Sequence, residues 1–501
     1  MSRPVPGVRT FLSACSRGRA SRRSAAVNGV SASDLVLLLP ELILVGTCLV
    51  LLLAARPIQA NRAVPLALVG TVLAAVAAAV ASGWLLSRGA ATGFGGMFRV
   101  DGYSQFFKLL ITATLVLTAL FSVRSIEDEK LPRAEYFVLL LLASTGMMFA
   151  ASALDLLTLY LGVELMTLCA YILVGIRVER PKSNEAAIKY FLLGSFASAL
   201  LLYGISLTYG VTGATDFGGI AQALSEGDGE NPILLLGIVL VAAGLAFKIA
   251  AVPFHAWAPD AYEGASTPVA AFLAAGFKAA GLAALGRVCL IAFHTESQLL
   301  SMALTGLAAL SIIVGSLMAL SQTDMKRLLA YSSIAHAGYA LLGLIAGTSE
   351  GTSATMTYAF FYVFMTLGTF GVVIALGERG QKLDGYQGLA VQRPVTAALM
   401  LLFLLSLTGI PPTAGFVAKF VVILSAVRAG HTTLAVVAVV CSVVSAFIYM
   451  RVAVLMYMKE PEEPAPSRIP MAISAALGLA ALVTLIGGLF PGGLTSWAVA
   501  P

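Results

Sequence analysis

Charge is scarce in this sequence. Only 11% of its 501 residues are Asp, Glu, Lys or Arg, while 59% are hydrophobic, and mean hydropathy is +0.93. A soluble domain carries charge on about a quarter of its residues, so a water-soluble globular fold is excluded. Cysteine is sparse and scattered: Cys15, Cys48, Cys169, Cys289 and Cys441 have no metal or iron–sulfur spacing between any two of them. Glycine is common, yet no glycine fingerprint follows a strand as a dinucleotide site requires. These absences leave no place for a flavin, a haem or a cluster. Any electrons that matter to this chain move in a partner.

An excess of one charge sign is also missing from most of the chain. The formal net charge of +6 comes from six arginines in residues 1–33 (Arg3, Arg9, Arg17, Arg19, Arg22 and Arg23), a stretch with no acid. The rest of the chain holds 25 basic and 25 acidic side chains, which cancel. The body therefore offers no basic surface for nucleic acid.

What is abundant is long apolar sequence. Fourteen runs recur, at about 35–55, 63–87, 104–122, 134–152, 155–177, 186–212, 232–257, 268–292, 299–321, 326–346, 352–378, 394–427, 432–457 and 469–490. Each is long enough to cross a ~30 Å hydrocarbon core as a helix, and too long and unbroken for barrel strands. The expected fold is an all-α polytopic membrane protein of about fourteen transmembrane helices in a lipid bilayer.

Loops after odd-numbered segments collect most cations, among them Arg56, Arg62, Arg124, Lys130, Arg177, Lys182, Lys326, Arg327, Lys382 and Arg393. Loops after even-numbered segments hold Arg88, Arg99 and Arg428. The positive-inside rule makes the first side cytoplasmic and puts both termini on the other. The leader arginines then sit on the wrong side. The leader reads as an over-called start, with Val27 or Val30 as alternatives, or as an Arg- and Ser-rich transit segment.

Five segments carry an ionisable group near their middle: Glu164, Lys248, Lys278, His336 and Lys419. Each charge at the bilayer centre costs about 2.5–3.5 kcal/mol even on insertion scales. Five together point to a route for protons or ions. Segments seven and twelve are also interrupted, around Pro253 and around Pro411-Pro412. Proline frees backbone groups that membrane depth tolerates only beside a cavity or inside protein. The two segments lie five apart, each with a lysine near its prolines. This predicts two inverted five-helix repeats, helices 4–8 and 9–13, with Lys419 holding in the second the place of Lys248 in the first. The chain then divides into a leader (1–33), helices one to three (34–133), a first repeat (134–292), a second repeat (299–457) and a last helix (458–501).

Plainer readings stand beside these. Either break is also readable as a simple proline kink. Lys189 is close enough to the start of segment six to snorkel, and His255 and His336 are readable as ordinary buried histidines. Asp155, Asp260 and Glu263 sit at span edges and read as caps or loop contacts. Glu41 and Lys108, near the ends of spans one and three, read as snorkelling or subunit-contact residues.

Three stretches carry a family resemblance. They are Phe247-Lys248-Ile249-Ala250-Ala251-Val252-Pro253-Phe254-His255-Ala256-Trp257 with its continuation to Gly264, Lys326-Arg327 through Ser332-Ser333 to His336, and Gly409-Ile410-Pro411-Pro412-Thr413-Ala414-Gly415-Phe416. The chain resembles the antiporter-like subunits of respiratory complex I, the proton-translocating NADH–quinone oxidoreductase, from about Asp34 onward. Within that family it is most similar to the subunit N branch, the counterpart of mitochondrial subunit 2. It stops just after segment fourteen, where one sister branch is expected to continue into a lateral helix. It has Lys419 where another is expected to have glutamate. Ser266 stands where the family usually has proline.

The resemblance implies a bacterial inner-membrane protein without cofactors of its own. FMN, iron–sulfur clusters, NADH and quinone would belong to partner subunits: the other membrane subunits and a hydrophilic redox arm. It implies Glu164 and Lys248 as a coupling ion pair, Lys278 and His336 as a central relay, Lys419 as the terminal lysine and Lys189 as a further relay lysine near Lys248. Hydroxyls such as Ser332, Ser333 and Thr366 would order water between them. The competing classes are a subunit of an Mrp-type cation/proton antiporter or membrane-bound hydrogenase, and a scaffold with inert charges. Deleting residues 2–29 is expected to leave assembly and activity intact, which complex yield and enzyme turnover in the truncated strain would check.

Overall fold

The structure is a computed structural model that describes residues 31–55, 60–227, 231–294, 297–461 and 468–492. The leader through Val30, with its six arginines, and Arg56 lie outside the described residues, as does the side chain of Arg62. Helices dominate, and each apolar run of the sequence is helical, the twelfth (394–427) as two helices. In chain order they are α1 (Leu39–Ala55), α2 (Ala60–Ser87), α3 (Gly102–Asp128), α4 (Arg133–Ser152), α5 (Leu156–Val174), α6 (Pro181–Thr212), α7 (Pro232–Lys248), α8 (Trp257–Gly264), α9 (Thr267–Ala292), α10 (Ser297–Leu320), α11 (Met325–Ile345), α12 (Ser349–Leu376), α13 (Pro394–Thr408), α14 (Ala414–Arg428), α15 (Thr432–Met458) and α16 (Met471–Leu489). Among the described residues, eleven helices are long and apolar enough to cross a membrane, and α1, α7 and α13 are shorter apolar helices. The sheet among the described residues is one small hairpin, Ala91–Gly93 against Phe98–Val100.

Burial sorts the helices. Nearly every residue of α9, α11 and α12 is buried. The outer helices turn large apolar side chains outward, such as Leu53, Val80, Phe196, Phe447 and Leu482. That is the reverse of a soluble surface and suits a lipid boundary. α9 is not uniform: Leu273–Phe277 and Val288–Ala292 are π-helical. The first of these ends against Lys278. A π turn re-aims the side chains that follow it and recurs at functional positions.

Both interruptions read from the prolines are real breaks. Helix stops at Lys248 and resumes at Trp257, and it stops at Thr408 and resumes at Ala414. Each break contains a cis X–Pro bond, Val252–Pro253 and Pro411–Pro412. The freed backbone groups are met individually. The Trp257 indole donates to Phe247 O at 3.0 Å, and Val252 N donates to Ser311 Oγ at 2.8 Å. Tyr190 stacks on Trp257 with ring centroids 4.4 Å apart, clamping α6 over the first break. Gly409, at φ +87, takes the left-handed conformation that ends α13.

Segment edges are fixed by caps. Asp155 accepts from Leu157 N and Thr158 N and starts α5, as its place at a span edge suggested. Ser266 precedes α9 at φ −60, an angle that proline also occupies, and its buried hydroxyl has no hydrogen-bond partner. Lys326, counted from sequence among the loop cations, is instead buried. Its ammonium donates to Glu263 O (2.6 Å) and Ala265 O (3.0 Å), the orphan carbonyls that end α8.

The helix that carries Glu164 is held by backbone contact. A Cβ on Gly162 of α5 would lie 2.7 Å from Ala150 N and 2.9 Å from Gly146 O of α4, and Gly146 mirrors this. Gly162→Val therefore forces the two helices apart. Overpacking of this kind costs about 1–3 kcal/mol, so the variant is expected to lower the thermal midpoint of the purified protein.

Candidate functional site

The mid-segment groups expected from sequence fall into two buried clusters and a bridge between them. In the first, α5, α6 and α7 converge. Lys248 is the last residue of α7 and is buried. Its ammonium lies 3.6 Å from Glu164 Oε1 of α5 and donates to Thr167 Oγ1 (3.1 Å) and Ser198 Oγ (3.3 Å). Ser198 of α6 in turn donates to Glu164 Oε1. One hydroxyl thus touches both ends of the acid–base pair, a geometry that lets a proton pass without either charge moving far. At 3.6 Å and an effective dielectric near 20 the Coulomb attraction is on the order of 5 kcal/mol.

The second cluster is organised by one face of α11. Ser333, His336 and Tyr339 are spaced three apart, so they stack along that face at about 4.5 Å per step. Lys278 of α9 donates to Ser333 O. His336 Nδ1 pairs with the Tyr358 hydroxyl at 2.6 Å, and its ring lies 5.2 Å from that of Tyr362. The Lys419 ammonium sits 4.6 Å from the Tyr339 ring centre and donates to Thr408 O (2.8 Å) and Ser442 Oγ (2.9 Å). Lys278, His336 and Lys419 are all buried. One turn beyond Lys278, a Cβ on Gly281 would lie 3.6 Å from the Lys248 carbonyl carbon, so α9 passes directly against the end of α7. Of the hydroxyls expected to order water, Ser332 is joined to Tyr449 and Ser333 Oγ donates to Ala330 O.

Several expectations change. Lys419 does not hold the place of Lys248. Lys248 closes the half-helix before its break, whereas Lys419 lies in α14, after its break, where it caps the freed carbonyl of Thr408. Lys189 is half-exposed and bonded to Glu185 (2.7 Å) and Asp260 (2.9 Å), and does not bond the Glu164–Lys248 pair. It belongs to an ionic cluster around a cavity of about 230 Å³. There Arg327 bridges Asp260 and Glu263 at 2.8 Å each, and Lys182 holds Glu263 at 2.9 Å. Asp260 and Glu263, expected to be caps or loop contacts, lie instead within α8 and pair with side chains of α6 and α11. His255 lies within the first break, against the Pro253 backbone.

Lys108 and Glu41 neither snorkel nor wait for another subunit. They meet each other at 2.8 Å, fully buried. Sequence reading missed a further buried pair, Arg287 of α9 with Asp101 at the start of α3, at 2.6 and 2.9 Å. Both pairs join helix ends distant in sequence. The only signal in the chain was an apolar span carrying a charge that no loop could explain. No cluster of three or more metal-ligating side chains occurs among the described residues.

Fold and site define a polytopic membrane protein with a buried line of basic groups that has one carboxylate at its end. Residues 153–445 match the family described as NADH:quinone oxidoreductase/Mrp antiporter, TM. The chain belongs to that family. It is 46% identical to NADH-quinone oxidoreductase subunit N of Desulfovibrio desulfuricans, over 93% of this chain and 96% of the relative. It is 45% identical to subunit N 2 of Rhizobium meliloti, over 90% and 94%. Among solved structures, a chain of respiratory complex I from Thermus thermophilus superposes with a TM-score of 0.80 at 35% identity, covering 92% of this chain and 100% of that one. A chain of the Mrp complex from Dietzia superposes at 0.82 with 24% identity, covering 93% and 96%, a likeness of fold.

Replacing Glu164 or Lys248 by alanine is expected to abolish most proton pumping, since each leaves the other without its counter-charge. Ser198→Ala is expected to slow pumping less, because it removes the bridge and keeps the pair. Dye quenching in vesicles carrying the purified assembly measures both.

Proposed function

We propose that this chain is the proton-translocating subunit N of a bacterial NADH–quinone oxidoreductase, seated in the inner membrane with both termini on the non-cytoplasmic side. The observation that carries the reading is the Glu164–Ser198–Lys248 constellation, in a chain 41–46% identical to proteins of that name. NADH, FMN, iron–sulfur clusters and quinone belong in this reading to the hydrophilic arm and neighbouring membrane subunits, which drive this one.

The chemistry is proton transfer alone. Lys248 holds a proton while Glu164 is close. When the redox reaction in the partner subunits draws the carboxylate away, the ammonium loses its counter-charge in a site poor in water and releases the proton. Lys278 accepts it across the α7–α9 contact. His336 passes it along the α11 face, with the Tyr358 hydroxyl fixing the orientation of the ring. Lys419 is the last group, held on the second break by Thr408 O and Ser442. Lys189, in its ionic cluster, serves proton uptake at the surface rather than the buried line. The two broken segments are the core of an inverted repeat, 134–292 and 299–457, whose lysines sit on opposite sides of their breaks.

The second reading, a subunit of an Mrp-type antiporter, is supported by the equally good superposition on the Mrp chain. Purifying the assembly through an affinity tag on this chain separates the two: co-purifying flavin and iron–sulfur proteins with NADH–quinone activity support the first, and small cation-transport subunits without it support the second.

Lys419→Ala is expected to impair pumping, and Lys419→Arg to rescue it poorly, because a guanidinium stays charged near neutral pH. Full pumping with arginine would make Lys419 a fixed charge that caps Thr408 and remove it from the relay.

A further inference from the structure

The three N-terminal helices lie outside the stretch that matches the family, residues 153–445, yet they enclose the most deeply buried ion pair of the chain. Lys108 Nζ and Glu41 Oε1 are 2.8 Å apart, with side chains 0% and 1% exposed. The pair has little support. Beyond that mutual contact, neither Glu41 oxygen nor the Lys108 ammonium has a hydrogen-bond partner among the described residues, and the Phe98 ring centre lies 4.8 Å from the ammonium.

Other orphan polar atoms share this end of the bundle. Gln105 Oε1, one turn before Lys108 on the same face of α3, is buried and unpartnered, as are Ser82 Oγ of α2 and Ser152 Oγ of α4. Glu41 is in the first turn of α1 and Ser82 in the last turns of α2. Gln105 and Lys108 are in the first turns of α3, and Ser152 is the last residue of α4. Consecutive helices alternate direction, so these groups lie at one membrane face, the one the loop charges mark as non-cytoplasmic. The four helices pack on one another.

Unpartnered donors and acceptors at this density are what water satisfies, each molecule making about three hydrogen bonds. A structural salt bridge is a poor account of the pair. Buried pairs without further hydrogen bonds gain little over apolar replacements of the same size. We propose that Glu41 and Lys108, with Gln105, Ser82 and Ser152, form a hydrated proton-holding site beside the main line. The pair exchanges between ammonium–carboxylate and amine–carboxylic acid by moving one proton, and takes up or gives off a second through the water. No electrons change hands. Asp101 and Arg287, paired at the same end, join α3 to α9.

The inference rests on the proton-translocating reading, and its test keeps the two apart. The tagged complex is reconstituted in vesicles, and protons moved per quinone reduced are measured for wild type, Glu41→Gln and the apolar double variant Glu41→Leu/Lys108→Met. The expected result is a ratio reduced by roughly half or more in both, as for a functional intramembrane charge, with normal NADH–quinone turnover in detergent. A wild-type ratio in the double variant makes the pair a fold staple and overturns the proposal. A wild-type complex that never pumps overturns the underlying reading instead. If the double variant does not assemble, Glu41→Asp keeps the charge and the fold. The redox-induced infrared difference spectrum should then carry a carboxyl band that shifts in Glu41→Asp, and an identical spectrum overturns the proposal.

Discussion

Backbone that leaves the helix at membrane depth must find a partner for every freed N–H and C=O, and this requirement shapes the centre of the molecule. Two segments break it open, and each repair uses a different side chain. At the first break an indole and a serine hydroxyl reach in from neighbouring elements. At the second, a lysine does. Lys419 donates to Thr408 O, and Ser442 donates to the same oxygen. In the proposed relay the same ammonium is therefore both the repair of the backbone and the proton carrier of its half. Losing its proton removes only one of three donors, so the neutral amine still serves the carbonyl. A lysine suits this place, because it titrates without undoing the break.

The position of each lysine relative to its break follows from the same economy. Lys248 ends α7, where its own helix has surplus carbonyls, yet it turns to side-chain oxygens on α5 and α6. Its partners are side chains on other helices. Those of Lys419 include fixed backbone. In the proposed relay the first site is therefore the one that can respond to motion of a neighbouring helix, and the second is the one that cannot. Coupling to a partner subunit belongs at Glu164, whose helix meets α4 through paired glycines and turns Leu161 and Leu168 outward.

Much of this was legible in the sequence. Apolar runs located the helices because hydrocarbon leaves few other solutions, and paired prolines located the breaks because a missing amide has a local effect. Glu164, Lys248, Lys278, His336 and Lys419 stood out because a mid-span charge is costly wherever it occurs. What did not read was pairing across the bundle. Glu41–Lys108 and Asp101–Arg287 each join ends of different helices, and a charge near a span end has two cheap explanations, snorkelling and capping, that a single chain cannot tell from burial. The Lys248–Lys419 equivalence was a different kind of error. Lys248 precedes Pro253 and Lys419 follows Pro412, so the sequence already carried the asymmetry. Counting distance from proline without its direction concealed it. Lys189 was placed with Lys248 by resemblance alone, and its true partners, Glu185 and Asp260, lie one turn away on α6 and across the break.

The charge pattern of the interior sets a limit on how such a line can work. Among the described residues, no carboxylate is bonded to Lys278, His336 or Lys419, and the acidic group of the line is Glu164 at its far end. Ser333 and Tyr339, which meet the two outer lysines, are six residues apart on α11, or about 9 Å along its axis. Two protonated lysines at that separation repel by on the order of 2 kcal/mol at an effective dielectric near 20, in addition to the cost of burying each. One proton on the segment is therefore favoured over two, and His336 between them is the natural place for it to pass. In the proposed relay the line fills and empties one proton at a time, and the return of Glu164 to Lys248 is what admits the next.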